Sequence, residues 1–288
     1  MKMKSKYQGI FFIICAAFFF SLMTFFVRLS GNVPTFQKSF FRNIVAAIVS
    51  VAILLRSEEK FKVLPDSWGP LFMRAGFGTA ALVANFYAVD HMNLADANIL
   101  NKLSPFFAIL MSRVVLKEKP SKQDLITVFV AFTGALLVAK PTGNMSLLPA
   151  ALGIFGGFGA GLAYTYVRKM GNHGERGTVI VAFFSVFSTL VTLPSLLFDY
   201  HPMTGRQLMC LICAGLAGMG GQFSITKAYT KAPAKEISVY DYTQVIFAAL
   251  LGFVFFEQVP DAYSIAGYVI IIGAALFRTF RLSKDSLR

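Results

Sequence analysis

Two groups of polar residues stand inside apolar runs, at spacings that could do chemistry. In the run 95–116, Asn98, Asn101, Lys102 and Pro105 recur at i, i+3, i+4 and i+7. On a helix that pattern forms one polar stripe. In the run 234–256, Tyr240, Asp241 and Gln244 cluster in the same way. A charge at the centre of a bilayer costs about 2.5–3.5 kcal/mol on insertion scales, so each needs a partner or a water-filled cavity. Two arrangements are open. Lys102 and Asp241 could pair and lock two helices together. Alternatively, Lys102 faces a substrate anion and Asp241 a substrate cation or a proton.

The cavity arrangement is favoured because intramembrane charges mark pathways. Depth also favours it. Counted along straight helices, each residue lies about 10 Å from its own end of a core roughly 30 Å thick, leaving roughly 10 Å between them along the normal. Asn85, Tyr87, Tyr164 and Gln222 add hydrogen-bonding groups and rings on other runs. With Asn98, Asn101, Lys102, Tyr240, Asp241 and Gln244 they form the candidate substrate-binding set. Arg42 and Arg74 lie near the ends of their runs and read as side chains that snorkel to headgroups. Glu236, at the mouth of its run, is a second carboxylate that could titrate.

Other arrangements carry no reaction. Gly157-Phe158-Gly159-Ala160-Gly161 has no preceding strand, so it reads as a helix surface that admits close packing, not as a phosphate loop. Cys210 and Cys213 sit in an apolar run without further ligands and read as packing. His91, His173 and His201 form no metal set, and neither a nucleophile elbow nor a Walker motif is present. The expectation is a non-enzyme with no cofactor and no metal.

The elements that must position these residues follow from composition. Of 288 residues, 56% are apolar and 14% charged, with 31 Phe and one Trp. Ordinary soluble chains have roughly 45–50% apolar and 25% charged residues, so this chain reads as a polytopic membrane protein. Three Cys exclude a disulfide scaffold. Ten runs follow one another: Tyr7–Leu29, Phe40–Leu55, Leu71–Val89, Ala95–Leu116, Leu125–Val138, Leu147–Val167, Thr178–Phe198, Leu208–Thr226, Ala234–Phe256 and Tyr263–Phe280. The first is too long for a signal peptide and reads as an uncleaved helix.

The net charge of +13 lies in clusters between the runs. With the N-terminus inside, twenty of the 27 Lys and Arg fall in cytoplasmic segments and at most five outside. That bias places both termini in the cytoplasm, in a cell (plasma or inner) membrane. It reflects the bilayer, not nucleic acid.

Residues 139 or 140 apart resemble one another. Val27-Arg28 matches Val167-Arg168, Gly78 matches Gly218, Glu118 matches Glu257, and Gly134-Ala135 matches Gly273-Ala274. The expectation is an all-α integral membrane protein. Its ten transmembrane helices form two five-helix repeats, 1–142 and 143–288. Five is odd, so the second repeat is inverted, a common plan for secondary transporters.

On these residues, together with Arg42, Asn98 to Pro105, and the Glu118/Pro120 and Glu257/Pro260 helix ends, the chain resembles the drug/metabolite transporter superfamily, EamA type. The resemblance implies a central cavity between the first, third and fourth spans and the sixth, eighth and ninth. The fifth and tenth spans would stand aside and support homodimer contacts. The expected function is secondary active transport of a small polar metabolite by alternating access. The resemblance favours export of an amino acid or related compound, with proton or counter-substrate coupling left open. Uptake of a nucleoside-like or vitamin-like metabolite, such as S-adenosylmethionine or riboflavin, is the alternative. A non-transporting membrane scaffold or a lipid-modifying enzyme stands further off, since neither a docking domain nor a catalytic set is visible.

Overall fold

A computed structural model describes residues 2–117, 121–139, 147–231 and 238–285. Glu118, Pro120 and Glu236, singled out above, lie outside the described residues. The described chain contains helices, two short 3-10 turns and no strand. In chain order the helices are α1 (Lys2–Leu29), α2 (Thr35–Leu55), α3 (Trp68–His91), α4 (Leu94–Asn101), α5 (Ser104–Val115), α6 (Lys122–Ala139), α7 (Leu147–Asn172), α8 (Gly177–Phe198), α9 (Gly205–Lys231), α10 (Thr243–Phe256) and α11 (Ala262–Asp285). The stretches 7–29, 35–55, 147–172, 177–198 and 205–228 are long and apolar enough to cross a membrane by themselves. Large apolar side chains stay exposed on several helices, among them Phe129, Phe198, Phe253 and Val269. In water such a surface would drive aggregation, whereas lipid tails accept it. The chain is a multi-pass membrane protein.

The fourth run was expected to be one of ten transmembrane helices. It is instead two helices, α4 and α5, with Lys102 and Leu103 between them. Proline supplies no N–H to Asn101 O. The chain tightens, Leu103 N donating to Leu100 O (3.1 Å) and Phe106 N to Leu103 O (3.0 Å). Lys102 O then has no helical donor, and the Tyr242 hydroxyl supplies one at 3.0 Å. The described part of the ninth run changes helix type at its start. A 3-10 turn, Ser238–Tyr242, precedes α10.

Packing brings both segments to the centre. α1 runs along α9 and touches α10, and α3 runs along α7, which also supports α4 and α5. α2 packs on α8, α6 on α11, and α4 on α10. Glycines set the closest approaches. A Cβ on Gly161 would stand 2.5 Å from Ser104 O and one on Gly157 2.8 Å from Leu100 O, so α7 seats directly on the backbone around the break. The close-packing reading of this glycine run holds.

The two ends differ. At one, Arg28 Nη1 donates to Val89 O (2.5 Å) and Met92 O (3.2 Å), and Lys38 Nζ grips both Asp90 oxygens at 2.7 Å. α1 thus meets α3 and α4, while among the described residues α7 makes no extended contact with α9. At the other end, Arg176 Nε binds Glu59 Oε2 at 3.1 Å, and Glu175 Oε2 accepts Leu64 N at 3.0 Å. These contacts join the loops that follow α2 and α7.

Candidate functional site

A cavity opens beside the α4–α5 break. Its walls come from α1 (Phe20, Met23), α2 (Arg42), α3 (Arg74, Gly78, Asn85), the break (Asn101, Lys102, Ser104), α7 (Tyr164), α8 (Phe184), α9 (Gln222) and α10 (Gln244). Helices of the first, third, fourth, sixth, eighth and ninth runs were expected here. The second and seventh join them through Arg42 and Phe184.

Lys102 and Asp241 form a direct ion pair, Nζ to Oδ2 2.6 Å, with both residues about 5% exposed. The pairing arrangement therefore holds, where the depth count favoured separate charges. That count assumed straight helices whose ends coincide with the apolar runs, whereas α4 ends at Asn101 and Asp241 lies in a 3-10 turn, and the long lysine side chain bridges to it. Among the described residues Asp241 Oδ1 has no hydrogen-bond partner, and neither does the buried Asn85 Oδ1.

Of the ten candidates, Asn85, Asn101, Lys102, Tyr164, Gln222 and Gln244 line the cavity, and Asp241 joins it through Lys102. Three do not. Asn98 is fully buried, donating to Leu94 O at 2.7 Å and Thr24 Oγ1 at 3.3 Å while its oxygen accepts from Gln244 Nε2. It fastens α4 to α1 and α10. Tyr240 is 37% exposed and outside the lining. Tyr87 stacks on His91, ring centroids 4.0 Å apart, beside the Asp90 end.

Arg42 and Arg74 correct the snorkelling expectation. They are 1% and 4% exposed, and both face the cavity. Phe184 lies near both guanidiniums, 3.8 Å from that of Arg74 and 5.8 Å from that of Arg42. Arg42 Nη1 donates to Asn43 Oδ1 at 2.6 Å and its Nε to Met23 Sδ at 3.4 Å. No carboxylate of a described residue pairs with either guanidinium. The glycine repeat carried the signal for both. A Cβ on Gly218 would lie 2.7 Å from Arg42 Nε, and one on Gly78 would collide with Arg74 Nη1. These matched glycines make the room that the two guanidiniums fill.

The whole chain has relatives. The pseudopaline exporter CntI of Pseudomonas aeruginosa is 33% identical over 94% of this chain and 96% of its own. Solute carrier family 35 member G1 of Homo sapiens is 28% identical over 96% of this chain and 81% of its own. A riboflavin transporter of Brucella anthropi is 25% identical over 85% and 88%. A crystal structure matches the fold with a TM-score of 0.70, at 16% identity over 97% of this chain and 98% of the other. The model of the EamA-like transporter family matches twice, at residues 7–140 and 147–280. The cavity is walled from both matched segments, and the chain belongs to the EamA-like transporter family.

Proposed function

We propose that this chain is a secondary active transporter that exports a small polar metabolite by alternating access. The observation that carries the reading is the central cavity. It places buried charges at a helix break, and non-helical backbone at membrane depth is tolerated where it lines a cavity or is buried in protein.

The two-repeat plan, 1–142 and 143–288 with ten spans, is supported by the double family match and by the packing. Replace each helix by the one five runs later, and the contact α1–α9 becomes α7–α3, which is present. Likewise α4 and α5 on α7 become α10 on α1, and α2–α9 becomes α8–α3. Rocking between two such halves is how inverted repeats expose one site to either side. Export is supported by the function of the Pseudomonas relative. The Lys/Arg bias supports cytoplasmic termini.

Reconstituted vesicles test the reading. Vesicles containing the protein, loaded with a labelled metabolite mixture, should release some components faster than protein-free vesicles, and excess unlabelled cargo should compete. Equal release from both would end the transporter reading. Net uptake into right-side-out membranes as the main flux would reverse the direction.

A further inference from the structure

We infer that the transported metabolite carries two carboxylate groups, taken by Arg42 and Arg74. The inference rests on the transporter reading and narrows its substrate class. It starts from the charges in the cavity. Lys102 and Asp241 neutralise one another at 2.6 Å. The opposite charges that suited a zwitterion are therefore spent on each other. Arg42 and Arg74 remain, and no Asp or Glu lines the cavity among the described residues.

Each guanidinium is buried deeply enough for the missing anion to matter. Taking an ion out of water costs several kcal/mol, and a protein recovers this only with a counter-charge or good hydrogen bonds. Arg42 has an amide oxygen and a thioether. Arg74 donates no hydrogen bond to any described residue, and its Nε is buried without an acceptor. What it touches is the Phe184 ring, 3.8 Å below the guanidinium. A ring face steadies and orients a cation, but leaves the in-plane N–H fork unused. That fork matches a carboxylate, two parallel N–H···O bonds to two oxygens. Arg42 keeps Nη2 for a charge-assisted bond to a second carboxylate. Two unneutralised cations call for two negative charges, and two guanidiniums at distinct positions call for two separate groups. The unpartnered Asn85 oxygen is left for an N–H or O–H donor on the same ligand.

The purified full-length protein tests this by thermal shift and titration calorimetry against malonate, succinate and adipate. Succinamate supplies the matching monoanion, alanine a zwitterion, putrescine a dication and glycerol 3-phosphate a phosphate ester. At least one dicarboxylate is expected to raise the unfolding temperature, and to bind at least tenfold more tightly than succinamate, alanine or putrescine. Arg42→Gln and Arg74→Gln should each remove at least tenfold of that affinity. Arg74→Lys, which keeps the charge and loses the fork, should fall between. If the glutamine variants do not fold, the wild-type comparison still decides. Binding by none of the dicarboxylates would overturn the inference. So would tighter binding of alanine, putrescine or glycerol 3-phosphate, or a dicarboxylate preference that survives both arginine changes. Vesicle flux separates the two readings. Flux of alanine by a chain blind to dicarboxylates keeps the transporter and sinks this substrate class. Dicarboxylate binding without flux of any metabolite does the reverse.

Discussion

Lys102 Nζ and Asp241 Oδ2 meet at 2.6 Å across 139 residues, one from the break between α4 and α5 and the other from the 3-10 turn that leads into α10. Side-chain hydroxyls from other segments reach backbone carbonyls beside both. Tyr242 donates to Lys102 O at 3.0 Å, and Ser21 Oγ donates to Gln244 O at 2.9 Å. The pair therefore fastens two irregular segments that regular helical hydrogen bonding cannot hold.

Removing one partner leaves a buried charge. Lys102→Met and Asp241→Asn should each destabilise the protein by about 3–5 kcal/mol. The double variant should regain much of that loss, since neither charge then remains. Chemical unfolding in detergent measures all four proteins, and strictly additive losses would show that the two side chains act independently. Asp241→Asn should also lose transport.

Gly161 tests the seating of α7. Gly161→Ala would place a methyl 2.5 Å from Ser104 O and 2.8 Å from Phe107 Cβ. Overpacking of this kind costs about 1–3 kcal/mol. Gly76→Ala, on a helix with nothing within 4 Å of the new methyl, should instead stabilise by up to about 1 kcal/mol. Thermal unfolding of the two variants should move in opposite directions.

Two helix ends finish on left-handed residues that are not glycine, Lys117 at φ 58° and Glu257 at φ 54°. At the second, Gln258 N reaches back to Gly252 O at 3.1 Å and closes the helix. Glu257 is exposed. Glu257→Gly should therefore raise stability by about 0.5–1 kcal/mol. A drop in the unfolding midpoint would mean that the carboxylate holds a contact of its own.

Orientation is tested in cells. With Cys15, Cys210 and Cys213 replaced by Ala, a cysteine at Pro202 should react with an impermeant thiol reagent from outside, and one at Lys62 should not. Both sites are exposed, so burial does not confuse the comparison. The reverse pattern would turn the molecule over in the bilayer.

The polar stripe of the fourth run was legible because a charged or amide residue stands out in an apolar run. Six of the ten candidates do line the cavity. What was hidden depended on where helices begin and break. The second run was taken from Phe40 and the third from Leu71, which put Arg42 and Arg74 at the edges. The helices begin at Thr35 and Trp68, so both arginines lie further inside. Asn98 was misplaced for another reason. It sits one helical turn before Lys102, whose N donates to Asn98 O at 3.0 Å, but its side chain turns to Thr24 and Gln244. Periodicity reports a shared face, not which neighbours a side chain meets there.

The inequality of the two ends suits a cup more than a tube. Arg28, Lys38 and Asp90 form the base of the cup, and α7 and α9 leave its rim apart. In the proposed orientation that rim faces the cytoplasm, the side from which an exporter loads. Emptying it outward requires the floor to part, and a cargo or coupling ion shifts that balance only by binding the parted form more tightly.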